Sequence, residues 1–372
     1  MTGVYEEGIS PRSALGTRPI PASRGRAREA EDRLRGRLDP IATISLAYVT
    51  FLLVWHALRF TPVGSWPPFE VVDIFGLGLF VPLPLLLLLS MLGASRRAGL
   101  VLMLPIVLLA LSYGPYFLPR TIPSIFRPNS LTSGVTLRVM TANLLVSNDD
   151  LSAVAGMIQM ERPDVVALQE LSPSMAQHLG RELRAQYPHQ LLEPAPSPMG
   201  LGILSRYPIR PERLGEQLPR ECFCQKIVVE VNGRTLTLVN VHPWPPKVRY
   251  YRVGRLPVPT SFEPEQTRRG LQAALAGLEG RVGSTIVLGD FNVGDRQPFY
   301  RELRRTLQDA HAEAGWGLGL SFPALTFEGL PDLSLVRIDY ILHDRSLTAR
   351  SARTGITPGS DHRHVVADLA LP

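Results

Sequence analysis

The chain has almost no cysteine, since its 372 residues contain only Cys222 and Cys224. Two cysteines separated by one residue are too close for a relaxed disulfide and too few for a structural zinc site. We therefore expect both to be ordinary residues of a strand. The sequence excludes a disulfide framework, so cysteine content does not indicate the compartment in which the protein works.

Charged residues are missing from three long stretches of the N-terminal third, residues 41–58, 74–95 and 98–118, apart from the arginines that separate the last two. Each stretch is near the length that spans the hydrocarbon core of a bilayer. The sequence therefore predicts three transmembrane helices within residues 39–118. Buried helices of a soluble domain are the alternative, which is disfavoured because three such runs leave no polar face.

Residues 1–38 lack apolar periodicity, and they contain eight Arg and five acidic residues among Gly, Pro, Ser and Ala. Such a segment cannot bury enough surface to fold, so we expect a disordered basic cytoplasmic tail. A cleavable signal peptide is the competing interpretation. The first apolar run begins too far from Met1 for that, and no small-residue cleavage site follows it.

The positive charges that flank the apolar runs predict the orientation. The tail is rich in Arg, and the turn between the second and third runs holds Arg96 and Arg97, whereas the first turn has only Arg59 at its edge. Because Lys and Arg favour the cytoplasmic side, the N-terminus is expected inside the cell and the C-terminal part outside, in a multi-pass protein of the cell membrane. Two arginines after the third run weaken this contrast. Residues 119–134, rich in Pro, Gly, Ser and Thr, are expected to be a linker.

A strong positive excess is absent from the C-terminal part. Residues 133–372 contain 26 Lys and Arg against 25 Asp and Glu, whereas residues 1–132 contain 13 Arg against 8 acids. The basic pI therefore reflects membrane topology and contact with anionic lipid headgroups rather than a nucleic-acid-binding face. Nucleic acid stays open as a partner without being favoured, and no protein partner can be inferred.

The C-terminal part does contain polar residues that directly follow apolar strands. In TIVLGDFNV, the strand at 285–288 delivers Asp290 and Asn292 onto one turn, and Gly289 would let the backbone approach a ligand closely. Alone, an Asp/Asn turn is the simpler interpretation. The chain also contains LRVMTANLL, PDVVALQEL, LVNVHP, VRIDYIL and GSDHRHVVADL, which place six further polar residues beside strands: Asn143, Glu170, His242, Asp339, Asp361 and His362.

In this order, the six motifs resemble the endonuclease/exonuclease/phosphatase superfamily, which includes DNase I, exonuclease III, neutral sphingomyelinases and inositol polyphosphate 5-phosphatases. The resemblance covers residues 135–372. It implies an α/β fold, a four-layer sandwich of two β-sheets flanked by helices, with the active site along one edge. Short apolar strands alternate with helical segments in this region, which is compatible with the sandwich but leaves a single mixed sheet open.

The resemblance also implies a hydrolase of phosphoester bonds that uses Mg²⁺ or Mn²⁺. Glu170 matches the metal-holding residue, and Asn143 and Asp361 match residues that support the metal or the phosphate. Carboxylate and amide oxygens suit such hard cations. Helix capping by Glu170 and turn bonding by Asn143 are the simpler alternatives.

Five residues match catalytic positions of the family: His242, Asp290, Asn292, Asp339 and His362. His362, oriented by Asp339, is expected to act as general base or proton carrier, and His242 to bind phosphate and protonate the leaving oxygen. Asp290 and Asn292 are expected to orient water and a non-bridging oxygen. A covalent Ser or Cys mechanism is disfavoured because no nucleophile elbow appears.

Departures from the patterns of individual subfamilies narrow the choice of subfamily. VHPWPP replaces the Y-x-P-N-G of exonuclease III, and Leu145 stands where that branch has a polar residue. LGDFNV and VRIDYIL lack the longer W-x-G-D-x-N-Y-R motif and the Cys of the inositol phosphatases. His364 occupies a position at which many members have Pro, and we expect it to be an exposed strand residue.

A basic, aromatic segment follows His242, with the sequence PWPPKVRYYRVGRLPVPTSF at 243–262. Either it contacts phosphate or membrane, or it is a solvated Pro-rich loop. We predict substrate contacts from Lys247 and Arg249 of this segment and from Arg268 in the next helix. The sequence as a whole predicts a membrane-anchored, Mg²⁺-dependent phosphoesterase, with a surface nuclease and a non-catalytic membrane receptor of the same fold as alternatives.

Overall fold

The computed structural model describes residues 39–118, 135–212, 222–253, 256–278, 283–325 and 333–372. The predicted tail and the predicted linker therefore lie outside the described residues. The described part consists of a group of apolar N-terminal helices and a C-terminal domain built on β-sheets. These two parts contact each other directly.

Two N-terminal helices are long and apolar enough to cross a membrane. They are α1 (Pro40–Leu58) and α4 (Arg96–Tyr113), and a 3₁₀ turn at Gly114–Phe117 extends the second. Apolar side chains point outward from both helices, as Ile44 of α1 and Leu100 of α4 show with exposures of 57% and 74%. An apolar surface of this extent is typical of a lipid-facing helix or an interaction site.

Most of the second apolar run, predicted as one helix over residues 74–95, is helical from Gly76 to Leu92, as a 3₁₀ segment (Gly76–Phe80) followed by α3 (Pro82–Leu92). A separate short helix, α2 (Pro67–Ile74), precedes this stretch and is bent by 69° against it. Gly76 and Gly78 disfavour helix at the break, and a proline then starts α3. The described residues therefore hold two candidate spans, or up to three if the bent pair is one span.

Polar contacts fix both ends of this helix group. At the starts of α1 and α4, the Ser95 hydroxyl donates to the Asp39 carboxylate. At the opposite end of α1, the Arg59 guanidinium lies 3.5 Å from the carbonyl oxygen of Arg296 in the C-terminal domain. Just after α4, the carbonyl of Tyr116 accepts from a backbone amide of that domain at 2.7 Å. Helices α1 and α4 therefore run in the same direction and end at the C-terminal domain.

The C-terminal domain contains two mixed six-stranded sheets. The first has the spatial order β13 (Thr348–Ile356), β14 (Arg363–Ala370), β1 (Thr136–Asn143), β2 (Val165–Gln169), β4 (Leu201–Ser205) and β3 (His189–Glu193). The second has the order β11 (Gln308–Asp309), β12 (Asp339–His343), β10 (Ser284–Asp290), β7 (Arg234–Pro243), β6 (Cys222–Val231) and β5 (Ile209–Glu212). In each sheet one pair of neighbours is parallel, β1 with β2 and β7 with β10.

Helices cover the outer face of each sheet. The helices are α5 (Leu151–Glu161) and α6 (Pro173–Glu182) on the first sheet, and α7 (Glu265–Ala276) and α8 (Pro298–Thr306) on the second, with a short α9 (Ala310–Ala314) after β11. Ser172 caps α6, and Pro173 is in its first turn, where a proline is tolerated. Amphipathic helices of this kind bury one apolar face against a sheet.

The main core lies between the two sheets. Val139, Leu238 and Leu288 are fully buried there. Two further apolar clusters pack α5 and α6 onto the first sheet and α7 and α8 onto the second. The result is a four-layer α/β sandwich, which confirms the predicted fold and excludes the single mixed sheet.

The two parallel strand pairs bring their carboxyl ends to one edge of the sandwich. Strand β1 ends at Asn143, β2 is followed by Glu170, β7 carries His242 near its end and β10 ends at Asp290. In β12, Asp339 is the register partner of Asp290. The sheets meet at this edge, since Asn143 Nδ2 donates to Asp290 Oδ2 across the sandwich at 3.1 Å.

Residues 243–262 do not form the solvated loop that was one of the two interpretations. Most of them belong to a two-stranded hairpin of β8 (Lys247–Val253) and β9 (Leu256–Glu263), with a bulge between Arg249 and Tyr250. Strand β9 packs against α2. The hairpin therefore lies beside the N-terminal helices.

Cys224, in strand β6, is disulfide-bonded. The expectation that it is an ordinary strand residue is therefore wrong.

Candidate active site

The turn after β10 carries the first pair of predicted site residues. Asp290 Oδ1 accepts from the Asn292 amide at 2.9 Å, and Asn292 Nδ2 donates to the Pro243 carbonyl at 3.1 Å. Gly289 has φ +147°, and a Cβ there would lie 2.0 Å from the carbonyl oxygen of Val241 in β7. The glycine therefore permits close approach of two strands rather than of a ligand, which corrects the prediction from the sequence.

Glu170 follows β2 in the left-handed backbone region, with φ 53°. Such a conformation costs a residue other than glycine about 1–3 kcal/mol and is typical of functional sites. Its carboxylate is held on both oxygens, since Oε1 accepts from Asn143 Nδ2 at 3.1 Å and Oε2 accepts from the Val146 amide at 3.0 Å. Asn143 therefore orients Glu170 and, through its second contact, Asp290.

His362 lies between two buried carboxylates. Its Nδ1 is 3.0 Å from Asp339 Oδ2, and its Nε2 is 3.7 Å from Asp290 Oδ2. Burial by itself would lower the pKa of His362, but the charges of Asp339 and Asp290 outweigh burial and raise this pKa to about 10. The pKa of the Asp290 carboxyl is also raised, mainly by burial and further by the charge of Asp339.

His242 faces the same carboxylates from the other side. Its Nδ1 donates to the carbonyl oxygen of Pro198 at 3.0 Å. Its Nε2 then points at Asp290 Oδ2 and Glu170 Oε1, at 3.6 and 4.0 Å. The two histidines therefore flank Asp290 with their Nε2 atoms. Each ring is held in place by its Nδ1 atom, which contacts Asp339 in His362 and the Pro198 carbonyl in His242.

A cavity of about 240 Å³ opens at this point. Six of the eight predicted catalytic and metal residues line it, namely Glu170, His242, Asp290, Asn292, Asp361 and His362. Asn143 and Asp339 lie behind them, where they bond Glu170 and His362. The eight residues therefore converge on one place although they are spread over 219 positions of the sequence, from 143 to 362.

The walls of the cavity are apolar, and most of them were not predicted. They are formed by Pro198, Phe223, Pro243, Trp244, Pro245 and Phe322. The Phe223 and Trp244 rings meet edge to face at 5.2 Å, and the Phe322 ring lies 4.7 Å from the His362 ring. The only signal in the sequence was the aromatic, proline-rich character of the segment after His242. Phe223 and Phe322 carry no such signal.

The three predicted substrate-binding residues are not among the described residues that line the cavity. Lys247 and Arg249 are exposed on β8. Arg268, on α7, instead forms an ion pair with Glu70 of α2. The prediction that Arg268 contacts substrate is therefore not supported by its position.

His364 is buried, so the expectation of an exposed strand residue is wrong. Its exposure is 2%, and its Nε2 lies 3.4 Å from Glu161 Oε1 at the end of α5. The reason is that β14 lies inside the first sheet, between β13 and β1. His364 therefore belongs to the packing of α5 on the sheet rather than to the cavity.

Two groups of residues could hold a cation. Asp290, Asp339 and His362 offer ligand atoms within 4.8 Å of one another. A histidine that binds a metal must be neutral, whereas the two carboxylates beside His362 raise its pKa and so favour its charged form. Glu170 and Asp361 also line the cavity, and Glu170 is held in place by Asn143 and the Val146 amide. An oxygen set of this kind fits a hard divalent cation better.

Comparison with known proteins gives a family and several structures of similar architecture. Residues 140–362, more than half of the chain, match the sequence profile of the Endonuclease/Exonuclease/phosphatase family. No curated protein matches the chain.

Three solved structures illustrate the likeness. A family member from Bacteroides vulgatus is 20% identical, covers 64% of this chain and 100% of its own, and has a TM-score of 0.48. A family member from Beutenbergia cavernae is 20% identical, with 63% and 72% covered and a TM-score of 0.45. D. rerio TDP2 complexed with single-strand DNA product is 15% identical, with 63% and 98% covered and a TM-score of 0.45.

The family profile spans the strand ends that carry Asn143, Glu170, His242, Asp290 and His362. These are the residues that converge around the cavity. The chain therefore belongs to the endonuclease/exonuclease/phosphatase family and is a hydrolase of phosphoester bonds.

Proposed function

We propose that the protein is a membrane-anchored, Mg²⁺-dependent phosphoesterase that hydrolyses a phosphodiester or phosphomonoester, such as a phospholipid headgroup, outside the cytoplasm. One observation carries the proposal. Two histidines and three carboxylates converge on a single cavity, with His362 held between Asp339 and Asp290 opposite Glu170. Positioned acids and bases beside an oxygen-rich cation site are what in-line attack of water on phosphorus requires.

Glu170 and Asp361, with Asn143 behind them, would hold the cation. When bound, Mg²⁺ supplies a Lewis acid that polarises a phosphoryl oxygen and neutralises charge developing on it. Mn²⁺ would fit the same oxygen ligands. Asn143 keeps the Glu170 carboxylate from rotating, because its amide bonds both Glu170 and Asp290.

The remaining residues manage protons and orientation. His362, fixed by Asp339, carries a proton at Nε2 toward the reacting centre, and His242 bonds the phosphate through Nε2 and delivers a proton to the leaving oxygen. Asp290 and Asn292 orient the attacking water and a non-bridging oxygen. The apolar walls exclude bulk water around these groups, which strengthens each electrostatic contact.

The membrane part of the proposal rests on α1 and α4. Both are apolar over a length that can span a bilayer, and both end at the C-terminal domain. With Arg96 and Arg97 at the opposite end, the positive-inside rule places that end in the cytoplasm and the cavity outside.

A reporter experiment tests this topology. A phosphatase reporter fused after Leu118 should be active, because it folds only outside the cytoplasm. A fluorescent reporter that matures only in the cytoplasm should stay dark at the same position. The opposite pattern would place the cavity and its substrate inside the cell.

A substrate screen of the full chain in detergent tests the chemistry. Phospholipid, soluble phosphomonoester and DNA substrates are compared with Mg²⁺ and with EDTA. We expect hydrolysis of a phosphoester other than DNA, its loss in EDTA and its return with Mg²⁺. Hydrolysis of DNA alone would favour the surface nuclease, and no hydrolysis of any substrate would favour a non-catalytic receptor.

A further inference from the structure

A second group of buried charges lies outside the cavity, where α2 meets the C-terminal domain. Glu70 and Asp73 are only 0% and 2% exposed, although α2 has just eight residues. Acidic side chains are rarely buried to this degree unless they are paired. Arg268 pairs with Glu70, while Arg59 and Arg296 lie 3.6 and 3.5 Å from Asp73. These five residues are called the docking cluster below.

The docking cluster holds the N-terminal helices against the domain through side-chain contacts. The Arg296 guanidinium lies 5.2 Å from the Trp55 ring of α1 and 5.0 Å from the Tyr113 ring of α4. Arg301, on α8, donates to the carbonyl oxygens of Arg296 and Arg59 at 2.7 and 3.1 Å. The domain is therefore seated on its own N-terminal helices.

One arm of contacts leads from Glu70 to the turn after β10. Gln297 is 3% exposed, and its Nε2 donates to Glu70 Oε2 at 3.0 Å. Its Oε1 accepts from the Gly294 amide at 2.6 Å. Gly294 is two residues beyond Asn292, so Glu70 fixes the far end of the segment that carries Asn292.

A second arm leads from Glu70 to a wall of the cavity. Arg268, which pairs with Glu70, follows Thr267 on α7. Thr267 is fully buried, and its hydroxyl donates to the Trp244 carbonyl at 2.7 Å. Trp244 lines the cavity. The same carboxylate therefore restrains two different rims of the cavity, one through each of its oxygens.

We propose that Glu70 is a positioning residue that clamps these two rims, the Trp244 rim through Arg268 and the Asn292 rim through Gln297. The cavity then takes its working shape only while the domain is docked on its own α2. Charge-assisted hydrogen bonds are strong and directional, and a buried carboxylate cannot be removed without leaving Arg268 unpaired. The inference rests on the proposed function, because the effect of a positioning residue is measured as a change in turnover.

Hydrogen exchange of the full chain in detergent tests the clamp without relying on activity. Glu70→Ala should accelerate amide exchange at Trp244 and in residues 291–297 by about tenfold, the scale of losing one restraining hydrogen bond. Asp368→Asn is the matched control, because Asp368 pairs with Arg138 at 2.7 Å in the first sheet and touches neither rim. Unchanged exchange at both rims in Glu70→Ala, or equal acceleration in the control, overturns the proposal.

Kinetics separate the two arms. Gln297→Met removes only the hydrogen bonds that link Glu70 to the Asn292 rim and should lower kcat, whereas Arg268→Met removes only the ion pair that links Glu70 to the Trp244 rim and should raise KM. Glu70→Gln keeps an acceptor for Gln297 but loses the charge opposite Arg268, so it should retain kcat and share the KM defect. If Gln297→Met, Arg268→Met and the control Asp368→Asn all lower kcat and raise KM to the same extent, the effect is general destabilisation and the clamp is wrong.

The two readouts distinguish this inference from the proposed function. If the unmodified chain hydrolyses no phosphoester while Glu70→Ala still loosens both rims, the proposed function fails and the clamp stands. If the chain hydrolyses a phosphoester and the rims stay protected in Glu70→Ala, the clamp fails and the proposed function stands.

Discussion

Buried carboxylates occur both in the cavity and in the docking cluster, and their partners differ. In the cavity, Asp290 and Asp339 face His242 and His362. In the docking cluster, the carboxylates face arginines. A guanidinium stays protonated and offers a rigid fork of donors, whereas an imidazole can both give and accept a proton during a reaction. The partner therefore determines whether a buried carboxylate takes part in proton transfer or holds two parts of the protein together.

The largest effect is expected at another arginine–carboxylate pair, outside the docking cluster, whose arginine is more deeply buried than the arginines of the cluster. Arg337 and Asp309 lie 2.8 Å apart, and both side chains are 1% exposed. Arg337→Met leaves Asp309 as an uncompensated buried charge, which should destabilise the protein by about 3–5 kcal/mol. The melting temperature of the full chain in detergent measures this loss, while turnover of the protein that remains folded should change little.

The control for this prediction is an exposed pair. Arg210 lies 3.0 Å from Glu212, and its side chain is 69% exposed. Arg210→Met should cost less than about 1 kcal/mol, since solvent screens such pairs. If Arg337→Met melts like the control, buried arginine pairs are not what stabilises this fold.

The cavity should show large losses of turnover. Glu170→Gln and His362→Ala should each lower kcat by at least about 10²-fold, the scale of removing one positioned acid–base or electrostatic group. The melting temperature of Glu170→Gln should stay close to that of the parent, whereas His362→Ala leaves Asp339 and Asp290 without the cation between them and should also lower the melting temperature. A variant that keeps near-parental, metal-dependent turnover would show that its residue has been given the wrong role.

Much of this site could be predicted because its residues stand at the ends of apolar strands. Asn143, Glu170, His242 and Asp290 each follow a run with a clear strand pattern, and parallel pairing brings such ends together. The α/β sandwich follows from the same pattern once the family resemblance is added. The structure supplies the distances between these side chains, which the order of the motifs along the sequence does not give.

The docking role of Arg268 could not be predicted, because its partner Glu70 lies 198 positions earlier in a mostly apolar region. A lone acid near apolar runs gives no indication of which cation will reach it. The bend between α2 and α3 was missed for a related reason, since hydropathy measures apolar content and is insensitive to the glycines that interrupt a helix. Phe223 and Phe322 were missed because an apolar wall has no motif.

The smallest effects are expected from charged residues that belong neither to the cavity nor to the docking cluster. Lys247 and Arg249 are exposed on β8, where Arg249 lies 3.7 Å from the exposed Glu263. Strand β9 packs the hairpin against α2, so it lies on the side of the domain where the apolar helices end. If the bilayer surrounds those helices, both cations lie close to lipid headgroups.

Neutralising these two cations tests whether the hairpin serves the membrane or the cavity. A Lys or Arg near an anionic surface contributes about 1 kcal/mol, so Lys247→Gln and Arg249→Gln should each raise KM for a lipid phosphoester about fivefold in anionic nanodiscs. The effect should shrink as salt rises, because exposed charges are screened beyond about 8–10 Å. KM for a soluble phosphomonoester should not change, and Arg210→Gln should leave both constants at the parental value. A salt-insensitive rise in KM for the soluble substrate would instead mean that Lys247 and Arg249 contact substrate directly, since a cation that touches phosphate in a dry cavity is shielded from added salt.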